Sequence, residues 1–237
     1  MATSGGHTIK AFDEDLDRLR ALISEMGGLA EHAIRESMRC LVQHDLEGAE
    51  RVVANDKKLD ALEIETENRA VRLIALRAPM ASDLREVVAA LKISGVVERI
   101  GDYAKNISKR VPLLESSAKI EPVSLMPEMA RIATEMVHDV LTAFLERDPD
   151  AAVRVCERDK AVDDFYNSIF RTLLTYMMEN PNNIGQSTHL LFIAKNVERV
   201  GDHATNIAEM VYYAATGQHM ADRPRGNSPL DEAGMDD

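Results

Sequence analysis

The chain repeats itself, and this constrains its fold more than any other feature of the sequence. ERIGDYAKNI at 98–107 matches ERVGDHATNI at 198–207 at seven of ten positions. Upstream, RVVANDKKLD at 51–60 matches RVCERDKAVD at 154–163 at five of ten. The first pair is offset by 100 residues and the second by 103; the second offset also aligns Asp45 with Asp148, Ala49 with Ala152 and Met26 with Met129. Two segments recurring in one order define a duplicated unit. At ~150 residues per domain, length alone would leave one large unit or two small ones. The repeat selects two.

Each unit reads as helical. Apolar residues make up 45% of the chain, yet aromatics are only 4% and tryptophan is absent, so the apolar content is aliphatic. Pleated sheets favour rings and β-branched residues, and twelve Gly with eight Pro are too few for the turns of a β-sandwich. A proline inside a helix costs about 3 kcal/mol, so the long intervals between prolines are the candidate helices. The periodicity predicts them at 10–43, 46–77, 81–111, 125–146, 149–179 and 183–216. Asp148 before Pro149, and Asp45 at the equivalent place, are expected N-caps. Ser82 or Asp83, with Glu86 completing a capping box, is the expected start of the third helix. Gly217 is the expected C-cap of the last.

The third helix of each unit shows how it packs. Ile93, Val97, Ile100, Ala104, Ile107 and Val111 fall at alternating spacings of four and three, and Ile193, Val197, Val200, Ala204, Ile207 and Val211 repeat the ladder. That ~3.5-residue period belongs to antiparallel bundles, where one seam faces the neighbours. Gly101 and Gly201 beside the seam permit close approach, and Gly27-Gly28 inside the first helix marks a bend or close packing. The expected fold is all-α: two tandem three-helix bundles related by internal duplication. The boundaries are a flexible start over 1–8, a first bundle at 9–111, a linker at 112–127, a second bundle at 128–217 and a disordered acidic tail at 218–237.

Identity between the repeats extends beyond core positions. Glu98 and Asp102, like Glu198 and Asp202, stand four apart on one helical face, roughly opposite the aliphatic ladder. Asp56/Asp60 and Asp159/Asp163 carry the same spacing on the second helix of each unit. Like charges so spaced disfavour an isolated helix by about 0.2–0.5 kcal/mol, and a cation or a basic neighbour reverses the penalty. Two readings follow. One is a solvated acidic face neutralised by Arg99, Lys105, Lys195 and Arg199. The other is a carboxylate metal site in each bundle, pairing Asp56/Asp60 with Glu98/Asp102 and Asp159/Asp163 with Glu198/Asp202. Oxygen ligands suit magnesium, calcium, manganese or ferric iron, with zinc also accommodated.

Other chemistry is sparse. With 28 basic and 40 acidic residues the net charge is −12, which gives no general grip on nucleic acid. The chain has neither a run of 18 apolar residues nor the apolar core of a signal peptide, so a cytoplasmic setting is expected. Cys40 and Cys156 lie in helical patterns without metal-ligand spacing or catalytic partners. One Glu-x-x-His pair, Glu135 to His138, matches half of a di-iron motif, but its repeat equivalent at His138 is Arg35, and a surface histidine is the better reading. No phosphate-binding glycine loop occurs. Catalytic and cofactor-binding residues are therefore not assigned. Alternative classes are a metal-binding helical-bundle enzyme or metal store, and a purely structural helical adaptor.

Three segments carry a family resemblance: NDKKLDALEIE, LRAPMASDLREVVAALKISGVVERIGDYAKNI and LLFIAKNVERVGDHATNIAEMVYYAATG. Through them the chain closely resembles the PhoU family of phosphate-signalling regulators, from about residue 9 to 217. The resemblance implies two three-helix bundles and a cytoplasmic, non-catalytic negative regulator of the phosphate-starvation response. It implies the phosphate ABC transporter, notably its ATPase subunit, and a membrane sensor histidine kinase as partners. It further implies homodimers, and membrane association only through partners. Some members hold multinuclear iron or zinc clusters on (E/D)-x-x-x-D motifs, which map onto Asp56/Asp60, Glu98/Asp102, Asp159/Asp163 and Glu198/Asp202. Tyr103 stands where the family usually has a histidine after the acid of the first copy.

Overall fold

The computed structural model describes residues 4–114 and 121–220, with side chains from 11 to 114 and from 123 to 220. Parts of the expected linker (115–120) and tail (221–237) lie outside the described residues. The elements are α1 (Ser4–Gln43), α2 (Leu46–Asn55), α3 (Lys57–Arg77), α4 (Ser82–Ser108), α5 (Met126–Glu146), α6 (Pro149–Glu179) and α7 (Ile184–Thr216). Short 3₁₀ turns cover Val111–Leu113, Glu121–Ser124 and Pro181–Asn183. No strand occurs among the described residues. The duplicated three-helix architecture expected from the repeat is the one observed, with α2 and α3 together forming the second rod of the first unit.

Most helix ends fall where local chemistry places them. Asp45 accepts from the Gly48 amide at 2.8 Å, and Asp148 accepts from the Asp150 and Ala151 amides at 2.9 and 3.0 Å. Gly217 adopts φ 75°, the left-handed cap that closes α7. Three local expectations need correction. The backbone is already helical from Ser4, so α1 begins earlier than the expected helix start at residue 10, while residues 1–3 lie outside the described residues; propagating an existing helix costs little. The rod expected at 46–77 is interrupted at Asp56, whose carbonyl accepts from Leu59 at 2.8 Å and so tightens one turn. The capping box at the start of α4 does not form. Ala81 precedes the helix at φ 50° without a side-chain cap, and Glu86 is instead drawn into an ion-pair network.

Packing joins the two units more closely than two separate bundles would be joined. Both ladders are fully buried, with Ile93, Val97, Ile100, Ile193, Val197 and Val200 all at 0% exposure, and they belong to one continuous core spanning both repeats. α4 packs on α7 and α1 on α5, so these four helices form an inner layer flanked by α2–α3 and by α6. α4 and α7 run antiparallel. Arg85 donates to the Ala214 carbonyl at one end, and Arg110 lies 3.4 Å from His189 at the other. Between them Tyr103 and His203, repeat equivalents, meet each other: Oη and Nε2 are 2.8 Å apart and the rings stack at 5.3 Å. At Gly27 α1 is packed tightly on α5, since a Cβ there would lie 2.4 Å from Leu141 Cδ1. Close packing, rather than an anion nest, is therefore its role.

Candidate functional site

The second and third rods of each repeat bring the duplicated acids together. In the first, Asp56 is buried where α2 gives way to α3, its Oδ1 3.6 Å from the Cβ that Gly101 lacks. In the second, Asp159 Oδ1 lies 3.1 Å from the corresponding position at Gly201. The small residue in each E-R-x-G-D motif thus lets a carboxylate from the second rod approach the third. Asp56, Asp60 and Asp102 all act electrostatically on Glu98, as Asp163 and Asp202 act on Glu198. Asp56 and Asp60 thus lie within electrostatic reach of Glu98, and Asp163 of Glu198.

Three of these carboxylates, Glu98, Glu198 and Asp163, are held above their ordinary range. Burial, then the charges of Asp102, Glu63, Asp60 and Asp56, push Glu98 up to about 7. Burial likewise raises Glu198, against the bond it accepts from Lys195. Asp163 is raised by burial and by Asp202. Glu198 is 7% exposed, and its Oε2 is buried with no hydrogen-bond partner among the described residues. A buried, unsatisfied carboxylate oxygen is costly, which marks this atom as one that a cation would satisfy.

Of the four basic neighbours expected to neutralise these faces, two do so. Lys105 Nζ bridges Asp56 Oδ2 at 2.5 Å and Asp102 Oδ1 at 3.0 Å. Lys195 Nζ contacts Glu198 Oε1 at 2.6 Å and lies 5.2 Å from the Tyr166 ring centroid. Arg99 and Arg199 are exposed and make no ion pair with these acids among the described residues, although both act electrostatically on the rings of Tyr103 and His203 and Arg99 acts on Glu63 as well. No group of three or more His, Cys, Asp or Glu among the described residues is disposed to hold a metal ion. The donor set is all oxygen, and the orphaned Glu198 Oε2 is the atom in it whose chemistry suits a hard cation.

One member of the first cluster escaped the sequence reading. Glu63, raised by burial and by Glu67 and Asp60, faces Glu98, and its Oε1 is 3.2 Å from the Cβ position of Gly95. Its repeat equivalent is Tyr166, so a search for duplicated acids passes over it; its spacing of three from Asp60 was the available signal. The repeats are consequently unlike. Gly95 with Glu63 in the first corresponds to Lys195 with Tyr166 in the second. The Glu135–His138 pair forms no metal motif: Glu135 pairs with Arg131 and Arg158, and His138 Nδ1 meets Glu31 Oε1 at 3.0 Å.

Fold and site define a class, an internally duplicated helical-bundle protein with one acidic cluster per repeat. The chain belongs to the PhoU family, whose domain model matches residues 23–111 and again 126–211. A protein of Zymomonas mobilis subsp. mobilis, named phosphate-specific transport system accessory protein PhoU homolog, is 56% identical over 98% of both chains. A relative of the same name from Rhizobium meliloti is 46% identical over 97% of this chain and 95% of its own. Among solved structures, the crystal structure of PhoU from Pseudomonas aeruginosa superposes with a TM-score of 0.80 at 34% identity, covering 87% of this chain and all 100% of that one. The phosphate transport system regulatory protein PhoU from Streptococcus pneumoniae gives 0.83 at 27% identity, covering 88% and 99%. The family is one of accessory and regulatory proteins, not enzymes.

Proposed function

We propose that this chain is a cytoplasmic negative regulator of phosphate uptake and of the phosphate-starvation response. It acts as an adaptor between the phosphate ABC transporter, through the ATPase subunit, and a sensor histidine kinase, and it works as a homodimer. The observation that carries the reading is the end-to-end correspondence with relatives named as accessory proteins of phosphate-specific transport. No helix among the described residues is long and apolar enough to cross a membrane, in keeping with an adaptor that reaches the membrane through its partners. When phosphate is plentiful, the adaptor holds the kinase in its phosphatase-favouring state and restrains uptake. Deleting the gene in the native host should leave alkaline phosphatase expression high in phosphate-rich medium. Normal repression in the deletion strain would refute the reading.

In the same proposal the acidic clusters take cations, with iron, zinc, magnesium or manganese the candidates. Asp56, Asp60, Glu98 and Asp102 would hold one site, and Asp159, Asp163, Glu198 and Asp202 the other. A bound cation would join the second and third rods of each repeat. The raised Glu98 and the orphaned Glu198 Oε2 support this, because a cation relieves both. After chelator-free purification, elemental analysis should find Glu198→Gln/Asp202→Asn carrying about half the metal of the wild type, since one cluster of two is disabled. Near-zero metal in both proteins would sink the cation reading.

A further inference from the structure

Among the described residues, the N-terminal half of α1 has no helical counterpart leading into α5. α1 begins at Ser4, whereas α5 begins at Met126, which the 103-residue offset aligns with Ile23. The first family-domain match also starts at residue 23. The additional half packs on α3 and the start of α4 through a small core of its own, where Leu16 and Leu19 meet Ala70 and Leu73 of α3 and Val87 of α4. Beside that core, a groove of about 700 Å³ opens between α1 and α3.

The lining of this groove carries more positive than negative charge. Four arginines line it, Arg18, Arg69, Arg72 and Arg77, against two carboxylates, Asp15 and Glu65. Arg18 and Arg77 share Asp15 at 3.7 and 3.2 Å, and Arg69 takes Glu65 at 2.7 Å. Arg72, exposed, has no ion-pair partner among the described residues. In a chain whose net charge is −12, this is a local excess of positive charge.

We propose that the groove docks an acidic amphipathic helix of a partner protein. Its length argues for a helix: the lining runs along α3 from Ala61 to Arg77, which is ~24 Å at ~1.5 Å per residue. A small anion would fill a fraction of it, while a helix of about four turns would fill it from end to end. The apolar anchors are present. Ile64 and Leu76, 57% and 65% exposed, stand near the two ends, with Arg69 and Arg72 between them to take carboxylates in charge-assisted bonds. The face belongs to the first repeat alone. Where it has Arg69, Arg72 and Arg77, the second has Thr172, Thr175 and Asn180; where it has Ile64 and Leu76, the second has Asn167 and Glu179. Duplication kept the cores alike and made this one face different, so a partner that reads it engages one end of the molecule. The proposal adds a surface to the adaptor reading without depending on the acidic clusters.

Photo-crosslinking in the native host tests it, with benzoylphenylalanine replacing Asn68, which is exposed in the middle of the groove. The adduct should map to a helical segment of another protein bearing Asp or Glu on one face. Arg69→Glu/Arg72→Glu should lower its yield at least tenfold, and exchanging the partner's acids for lysine should restore it. Both arginines are exposed, and a thermal melt of the variant checks that the fold is retained. No adduct, an adduct within this chain or a second copy of it, an adduct on a segment without acids, or a yield indifferent to charge reversal would overturn the proposal. Any of those results, together with lost repression on deletion, would remove the groove and leave the adaptor reading standing.

Discussion

Replacing Ile100 with alanine will lower the stability of the whole chain, not of its first repeat alone. The side chain is fully buried in α4, in the inner layer where α4 packs on α7, and it belongs to the core that both repeats share. Removing three methyl or methylene groups from such a site costs about 3 kcal/mol, the transfer of the lost atoms plus the cavity they leave. For a chain of this size each kcal/mol moves the melting temperature by ~2–4 °C, so a fall of roughly 6–12 °C is expected. The distribution of the loss is more informative than its size. Hydrogen exchange read separately on peptides from α3 and α6 should show both losing protection by the same free energy. If α6 keeps its protection while α3 loses it, the repeats unfold independently and the shared core is not one cooperative unit.

Glu86→Ala should be nearly as costly, for an electrostatic reason. This carboxylate on α4 is 5% exposed, and it accepts from Arg20 on α1 of its own repeat and from Arg147, which follows α5 in the other. Breaking a buried ion pair by removing one member typically costs 3–5 kcal/mol, because the survivor is left buried and unpaired. Here the survivors retain water, since the Arg20 and Arg147 side chains are 23% and 51% exposed, which brings the expectation down to about 2–3 kcal/mol. A double-mutant cycle with Arg147→Ala isolates the contact between repeats, and a coupling of about 0.5–3 kcal/mol is expected. A coupling indistinguishable from zero would show that the triad leaves the two units energetically separate.

How much of this was legible depended on whether the signal was local. Asp45, Asp148 and Gly217 mark helix ends through bonds to their own neighbours, so sequence places them correctly. The ladders were legible because their period states which face is buried. Glu86 misled for the converse reason. Its spacing from Asp83 is that of a capping box, but two arginines distant in sequence outcompete one local amide. The seam between repeats was hidden as well. The ladder gives one buried face, whereas α4 and α7 each bury a second against the other; Gly27, set against Leu141, was the trace of the corresponding antiparallel α1–α5 contact. Within the acidic clusters, duplication revealed eight carboxylates and concealed the ninth, Glu63, whose counterpart is Tyr166. Which basic residues would neutralise them was undecided by spacing, since reach and rotamer select Lys105 and Lys195.

The contact between Tyr103 and His203 shows what fusing the two units makes available. In a two-fold dimer of identical units, a residue on the axis can meet only its own copy, so tyrosine would face tyrosine or histidine would face histidine. Joined in one chain, the two positions are encoded separately, and a phenol can be set against an imidazole at 2.8 Å. The same freedom lets Gly95 and Lys195, or Arg72 and Thr175, part ways without disturbing the frame that holds them. The ends of the molecule are thereby addressable one at a time. A partner arriving at this protein meets a front and a back, where a true dimer would offer it the same surface twice.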